Sequence, residues 1–296
     1  MKKAAPFLIL IASLLWASMG IVTRFVVGLG YSTIQTASVR LIASALFFLI
    51  VLLITNRKLL KIELKDLKWF LLTGIVSLFL NNVSYAATVQ RANLSVAVVL
   101  LYTAPFFVMI MSIIFFKEKI TINKIAALFI SFIGCIFVVG LSDSSVTKDG
   151  VLITVLIGLV SGFSYGTYTI ISKILLKKYE SLTVAAFSFF VAAIVSFILS
   201  NPSEIVSITI RNVDKLHLVV LGSIVSVALP YVFYSYALKY VESSKAPILA
   251  SFEVVAASLY GVVIHKEVLT VTTVVGISLI IFAIVILQMK NTKTID

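Results

Sequence analysis

Glu253 is the residue of greatest chemical interest, because it is a carboxylate in the middle of an apolar stretch, residues 245–270, that is long enough to cross a bilayer. An ionised acid inside a membrane helix costs several kcal/mol unless it faces a cavity or a partner. The position therefore predicts a substrate-binding or proton-carrying role. The alternative is a structural role, in which the carboxyl group hydrogen-bonds neighbouring helices and holds them together.

Arg40 is the second charged candidate and lies near the start of the second apolar segment. Its guanidinium group could bind an anionic group of a substrate, or pair with an acid or a helix end. The structural interpretation is preferred, because the long side chain of an arginine near a helix end can reach the interface.

Polar and aromatic side chains inside other apolar segments could line a cavity together with these two charges. They are Trp16, Asn81, Asn82, Tyr85, Tyr102, Tyr165, Tyr168, Tyr231 and Tyr234. Ring faces attract an amine, and hydroxyl groups bind the polar groups of a solute. Tyrosines at segment ends more often form the interfacial belt, but Trp16 and Tyr102 lie deep in their segments. With Glu253 and Arg40, this set is the predicted substrate-binding site.

Catalytic and metal-binding patterns give no support to an enzyme. Residues 162–166 match the G-x-S-x-G nucleophile pattern, but they lie within an apolar segment rather than on the strand-to-helix turn that the pattern requires. The only histidines, His217 and His265, fall at segment boundaries, and no metal-ligand or phosphate-loop motif is present. We therefore predict no catalytic residues, no metal and no cofactor, and expect any driving energy to come from gradients.

The composition places these candidates in a membrane protein. Residues are 61% apolar and only 12% charged, against roughly 45–50% and 25% in a soluble domain. The net charge of +12 indicates basic loops at a membrane rather than a nucleic-acid partner, because no RNA-binding signature accompanies it. The single cysteine, Cys135, excludes an internal disulfide.

Near-continuous apolar runs predict an all-α protein with ten transmembrane helices, the first of them retained rather than cleaved as a signal peptide. The predicted segments are residues 7–27, 34–54, 69–88, 93–115, 122–140, 151–172, 182–200, 217–238, 244–264 and 270–289. The connections between them are too short to hold a soluble domain.

Lysines and arginines concentrate on one set of alternate loops. The other set holds only Arg91, Lys148, Arg211, Lys215 and Lys266. Because cytoplasmic loops carry the excess of basic residues, we predict a multi-pass protein of the cell membrane with both termini in the cytoplasm.

The two halves of the chain repeat one another. Lys117-Glu118 followed by Thr121 recurs as Lys266-Glu267 followed by Thr270, and Ser84-Tyr85-Ala86 recurs as Ser235-Tyr236-Ala237. We predict one repeat over residues 1–143 and a second over residues 144–296. Each half holds an odd number of helices, so the second must be inverted relative to the first, as in secondary transporters with a midplane substrate site.

These residues resemble the drug/metabolite transporter superfamily, specifically its EamA-like transporters. The resemblance rests on the inverted halves, Trp16-Ala17 in the first segment, Arg40 early in the second, the Tyr-Ala pairs and the Glu-x-x-Thr endings. It implies a cavity enclosed by segments 1–4 and 6–9, with 5 and 10 peripheral, and export of small amphipathic solutes such as amino acids or amines. Family members commonly carry Glu-Pro in the ninth segment, whereas Glu253 precedes Val254 here, which argues against a helix break beside the acid.

The sequence thus predicts a secondary transporter working by alternating access, with a small-molecule substrate, membrane lipid around it, and proton coupling through Glu253 or simple facilitated diffusion. A channel for a small polar solute and, less favoured, an intramembrane enzyme are the alternatives. The solute, the direction of transport and the oligomeric state are left open.

Overall fold

Ten helices long and apolar enough to cross a membrane make up the fold. The computed structural model describes residues 4–140, 150–266 and 268–289. The helices are α1 (Ala5–Gly28), α2 (Thr33–Thr55), α3 (Leu64–Arg91), α4 (Leu94–Phe116), α5 (Ile122–Val139), α6 (Val151–Leu175), α7 (Ser181–Leu199), α8 (Val213–Leu238), α9 (Ala246–Ile264) and α10 (Val271–Gln288). The chain is therefore an all-α integral membrane protein with ten transmembrane helices, in two inverted five-helix repeats.

The helices coincide with the predicted segments and differ mainly where charged residues extend a helix beyond its apolar run, as at the start of α3. The predicted boundary between residues 143 and 144, together with Lys148 and Glu267, lies outside the described residues. We call the end of the bundle where α1 begins the N-terminal face, and the other end the opposite face.

The repeated Lys-Glu-x-x-Thr pattern marks the boundary between consecutive helices. Lys117 and Lys266 end α4 and α9 with φ of 51° and 55°, left-handed conformations that stop a helix. Thr121 and Thr270 then cap the next helix, each hydroxyl accepting a hydrogen bond from the backbone N–H three residues on, at 3.3 and 3.2 Å. The repetition thus records two equivalent helix–helix junctions.

Three spans are interrupted along their length, and a hydroxyl group accompanies each interruption. In α1, α4 and α9, Ser18, Thr103 and Ser251 donate to the backbone carbonyl three residues earlier, at 2.6, 2.6 and 2.7 Å. Such bonds tighten or bend a helix. The expectation of an unbroken helix beside Glu253 is therefore wrong, because the Ser251 turn separates Ala246–Ala250 from Phe252–His265 without a proline next to the acid.

The equivalent helices α3 and α8 carry a second kind of irregularity. Each contains a π-helical segment, Thr73–Leu80 in α3 and Ile224–Ala228 in α8. Wider turns of this kind occur frequently at functional sites, because they redirect the side chains that follow.

Glycines set the closest helix contacts. Gly158, Gly162 and Gly166 form a face of α6 that packs on α4, where a Cβ at Gly162 would lie 2.4 Å from Thr103 Oγ1 and 2.7 Å from the Leu100 carbonyl oxygen. Helices α5 and α10 approach each other at Gly134 and Gly276. These small residues allow the backbones to pack without intervening side chains.

The predicted connector over residues 201–216 contains a further short helix, Pro202–Arg211. Its Ile205 and Ile208 are buried against Val26, Tyr31 and Val39 at the opposite face. Sequence reasoning missed it because the helix is too short and too polar to be a span, while its apolar positions recur with helical spacing.

Candidate functional site

A cavity of about 80 Å³ lies in the middle of the bundle, between the two repeats. It is lined by Trp16, Met19, Ala37, Arg40, Leu41, Leu78, Asn81, Asn82, Leu101, Tyr102, Tyr165, Phe189, Val227, Tyr231 and Glu253. These residues come from α1–α4 and α6–α9, and none of the described lining belongs to α5 or α10. The arrangement is the one that the family resemblance implies.

The interruption of α9 positions Glu253. The carboxylate lies in the first turn of Phe252–His265, where free backbone N–H groups and the helix dipole favour a negative charge. Tyr102, at the equivalent interruption of α4, interacts with this carboxyl group. On the far side of the Ser251 turn, the Ala250 carbonyl accepts a hydrogen bond from Ser13 Oγ at 3.3 Å. The broken helices thus bring an acid and a tyrosine to the same point.

Arg40 brings the opposite charge into the same cavity. Its side chain is only 7% exposed, and Nη1 donates to Thr23 Oγ1 at 2.8 Å. Among the described residues, no acid forms an ion pair with Arg40, and its buried Nε has no hydrogen-bond partner. A buried guanidinium with unused donors in a cavity wall can bind an anionic group.

Asn81 and Asn82 follow the π-helical segment of α3 and are held by backbone carbonyls. Asn81 Nδ2 donates to Ser161 O at 3.0 Å, and Asn82 Nδ2 donates to Leu78 O at 2.8 Å. Tyr85, one turn further along, is not among the lining residues but lies within electrostatic range of both Glu253 and Arg40. The α3 amides therefore contribute to the wall directly, whereas Tyr85 does not.

Aromatic rings form the side of the cavity built by α1, α6 and α8. The Trp16 ring centroid lies 6.4 Å from that of Tyr165 and 5.2 Å from that of Tyr231. Tyr168 and Tyr234 lie outside the lining and support these rings, with hydroxyls 2.8 Å from Ser235 Oγ and 2.7 Å from Thr169 Oγ1. The predicted set therefore divides into residues at the cavity and residues packed behind it.

The apolar part of the wall was missed by sequence reasoning. It consists of Met19, Ala37, Leu41, Leu78, Leu101, Phe189 and Val227. In a chain with 21 phenylalanines and many aliphatic residues, nothing in the sequence distinguishes these positions. Within the described ranges, no group of His, Cys, Asp and Glu side chains could hold a metal ion.

On the N-terminal face, a polar network joins the two halves below the cavity. The Glu118 carboxylate accepts hydrogen bonds from Ser243 N, Ser244 N and Ser244 Oγ at 2.7, 3.1 and 2.6 Å. Lys124 Nζ lies 2.7 Å from Glu242 Oε2 and 4.0 Å from Glu118 Oε2. Burial opposes ionisation of Glu242, but Lys124 and Lys245 outweigh it and lower the pKa of this carboxyl group.

At the opposite face, the short helix Pro202–Arg211 is tied to the start of α2 and to the residues just before it. Gln35 Nε2 donates to Glu204 Oε2 at 2.8 Å, and the hydroxyls of Tyr31 and Thr209 are 2.7 Å apart. A small void lined by Ala37, Leu41 and Asn82 continues the cavity wall toward Ile34 and Ser196 on this side.

The same architecture and sequence pattern occur in known proteins. The model of the EamA-like transporter family matches residues 3–140 and again residues 152–289. An uncharacterized transporter of Archaeoglobus fulgidus is 30% identical over 210 residues, 70% of this chain and 72% of that protein. An uncharacterized transporter of Clostridium kluyveri is 27% identical, over 81% of this chain and 78% of that one.

A solved crystal structure superimposes with a TM-score of 0.81 at 17% sequence identity, covering 97% of each chain. At that identity the superposition establishes the shared fold. The matched family model covers both halves of the chain, and its relatives are transporters. The protein is a multi-pass membrane transporter that belongs to the EamA-like transporter family of the drug/metabolite transporter superfamily.

Proposed function

We propose that the protein is a secondary transporter that exports small amphipathic metabolites, amino acids or amines, by alternating access at the central cavity. The observation that carries the proposal is the presence of Glu253 and Arg40 in one buried wall, each contributed by a different half of the chain. A solute with an ammonium group and a carboxylate complements both charges, and the rings of Trp16, Tyr165 and Tyr231 suit its apolar part.

The division into two repeats, residues 1–143 and 144–296, supplies the moving parts in this proposal. The Glu118 and Lys124 contacts with residues 242–244 join the halves at the N-terminal face. In the proposed cycle, breaking these contacts opens the cavity to the N-terminal face, and the opposite face closes at the same time. A cavity of about 80 Å³ does not support a channel, which would need a fixed open path through the protein.

A thermal-shift screen of the purified protein against amino acids, amines, nucleosides and sugars tests the substrate class, because a ligand that binds the folded state raises its unfolding temperature. We expect stabilisation by amino acids or amines. Stabilisation confined to sugars or nucleosides would contradict the proposal. Conduction above about a million ions per second in a bilayer recording would favour a channel, since alternating access is limited to the microsecond-to-millisecond scale.

Proton coupling through Glu253 is part of the proposal, since this acid lies in the cavity wall. In proteoliposomes, an imposed pH gradient should drive solute accumulation against its concentration. Equilibration of the solute without accumulation would establish facilitated diffusion instead.

The proposed orientation has the N-terminal face and both termini in the cytoplasm, with the protein in the cell membrane. The excess of lysine and arginine on the loops of that face supports it. A reporter that is active only outside the cell, fused to the C-terminus, should be inactive. Activity of that fusion would reverse the orientation and the assignment of export.

A further inference from the structure

A basic groove, separate from the central cavity, opens on the N-terminal face between the ends of α4, α6 and α8. Its volume is about 750 Å³. The cationic side chains that line it are Lys117, Lys173, Lys177, Lys178 and Lys239. The acids in its wall are Glu118 and Glu180. The central cavity and its proposed solute make no use of these lysines.

Two of the five lysines are neutralised by acids. Lys178 Nζ lies 2.5 Å from Glu63 Oε1 and 2.6 Å from Asp66 Oδ2. Lys239 is paired with Glu180. Glu180 is therefore already paired. Glu118 accepts hydrogen bonds from the serines of residues 243–244 and lies near Lys124.

The remaining three cations form no ion pair with an acid among the described residues. Lys173 Nζ donates to the carbonyl oxygens of Leu238, at 2.6 Å, and Val241, which orient the ammonium group without cancelling its charge. Lys117 and Lys177 are exposed, and neither forms an ion pair with an acid in the described part of the chain. The groove therefore carries a residual positive charge that is concentrated on its α4 and α6 walls.

Beside Lys117, the α4 side of the groove also presents an exposed apolar surface. Phe115 is 53% exposed, and the neighbouring Ile114, just above it on α4, is 68% exposed. Lys177 Nζ lies 5.5 Å from the centroid of the Phe116 ring, so the ammonium group sits where the apolar surface of α4 ends. A ligand that spans this junction needs an anionic head and a hydrocarbon body.

We propose that this groove binds an anionic phospholipid, with the headgroup phosphate between Lys117 and Lys177 and an acyl chain along Phe115 and Ile114. Basic pockets between helix ends at the headgroup level suit phosphate, and clustered lysines attract anionic lipid. A soluble phosphate ion would use the same cations but would gain nothing from the apolar wall.

The test is a titration of the purified full-length protein in a non-ionic detergent, with the unfolding temperature as the readout. The probes are phosphatidylglycerol, phosphatidylcholine and inorganic phosphate. We expect phosphatidylglycerol to raise the unfolding temperature in a saturable manner, and the other two probes to have little effect at equal concentration. Equal stabilisation by inorganic phosphate would overturn the lipid assignment, and equal stabilisation by phosphatidylcholine would overturn the headgroup site.

Two double variants locate the effect. Lys117→Gln with Lys177→Gln should raise the half-saturating concentration of phosphatidylglycerol about 25-fold, or about fivefold per lysine. The matched control, Lys58→Gln with Lys61→Gln, removes the same charge from exposed lysines of the same face outside the groove and should stay within about twofold of the original protein. An unchanged response in the groove variant, or an equal loss in the control, would refute the proposal.

Discussion

Two residues of opposite charge define the chemistry of the central cavity. Glu253 occupies the first turn of a half-helix, and Arg40 retains an unpaired Nε within the same wall. The two residues do not form an ion pair with each other in the described structure. Each is therefore available to a solute, and each can be tested separately.

Replacement of the acid should remove recognition of an ammonium group. Glu253→Gln is expected to raise the half-saturating concentration of isoamylamine about 10- to 150-fold, because a hydrogen bond to a charged group contributes about 1.5–3 kcal/mol. The dependence of transport on a pH gradient should disappear with it. Asp214→Asn, which removes an exposed carboxylate, should leave both unchanged. A Glu253→Gln protein with original affinity and pH dependence would exclude this residue from the mechanism.

Replacement of Arg40 should weaken binding only of solutes that carry a carboxylate. Arg40→Gln is expected to raise the half-saturating concentration of leucine by at least about tenfold. That of its decarboxylated analogue, isoamylamine, should stay within about twofold of the original value. Thermal titrations with the two compounds measure the difference. A parallel loss for both compounds would show that Arg40 supports the fold of the site rather than binding the carboxylate.

At the scale of the elements, interrupted helices and close helix contacts position these side chains. The breaks in α4 and α9 occupy equivalent places in the two halves, and the hydroxyl groups of Thr103 and Ser251 stabilise them. The glycine face of α6 packs directly on the α4 break. The geometry of Tyr102 thus depends on a contact that tolerates no side chain.

A methyl group on that face should therefore destabilise the protein. Gly162→Ala places a Cβ 2.4 Å from Thr103 Oγ1 and 2.7 Å from the Leu100 carbonyl oxygen, so the helices must separate, at a cost of about 1–3 kcal/mol. A lower unfolding temperature in detergent measures the effect.

Gly20→Ala is the matched control, since no atom lies within 4 Å of the added Cβ. It should leave the unfolding temperature unchanged or slightly higher, because alanine favours a helix over glycine. Equal destabilisation by both substitutions would mean that the α6–α4 contact has no special role.

At the scale of the whole molecule, contacts between the halves decide which face the cavity can reach. Glu118 bonds three donors of residues 243–244 across the N-terminal face, and Lys124 bonds Glu242. In the proposed mechanism, weakening these contacts shifts the population toward states that are open to that face.

Glu118→Gln should produce that shift. In a Cys135→Ser background with Leu101→Cys in the cavity wall, we expect an impermeant maleimide applied at the N-terminal face to react about fivefold faster, equivalent to a population shift of about 1 kcal/mol. Glu180→Gln, which removes a pairing on the same face within the second half, serves as the control. An unchanged labelling rate in Glu118→Gln would show that the network does not hold this face closed.

Much of the architecture was readable from the sequence because membrane helices obey a strong one-dimensional rule. A helix must satisfy its own backbone hydrogen bonds in lipid, so apolar length alone located all ten spans. The repeated Lys-Glu-x-x-Thr pattern likewise predicted the helix junctions that Lys117, Thr121 and Lys266 form. Glu253 and Arg40 were identified because charge inside an apolar segment is costly.

Only the tertiary structure decided which polar and aromatic residues share a wall. Trp16, Tyr165 and Tyr231 meet at the cavity, whereas Tyr168 and Tyr234 pack behind it, because side-chain direction depends on helix rotation and crossing. The basic groove also depends on contacts between distant segments, since α4, α6 and α8 all contribute to it. Hydropathy measures the preference of each residue for lipid, but it contains no information about which helix faces which.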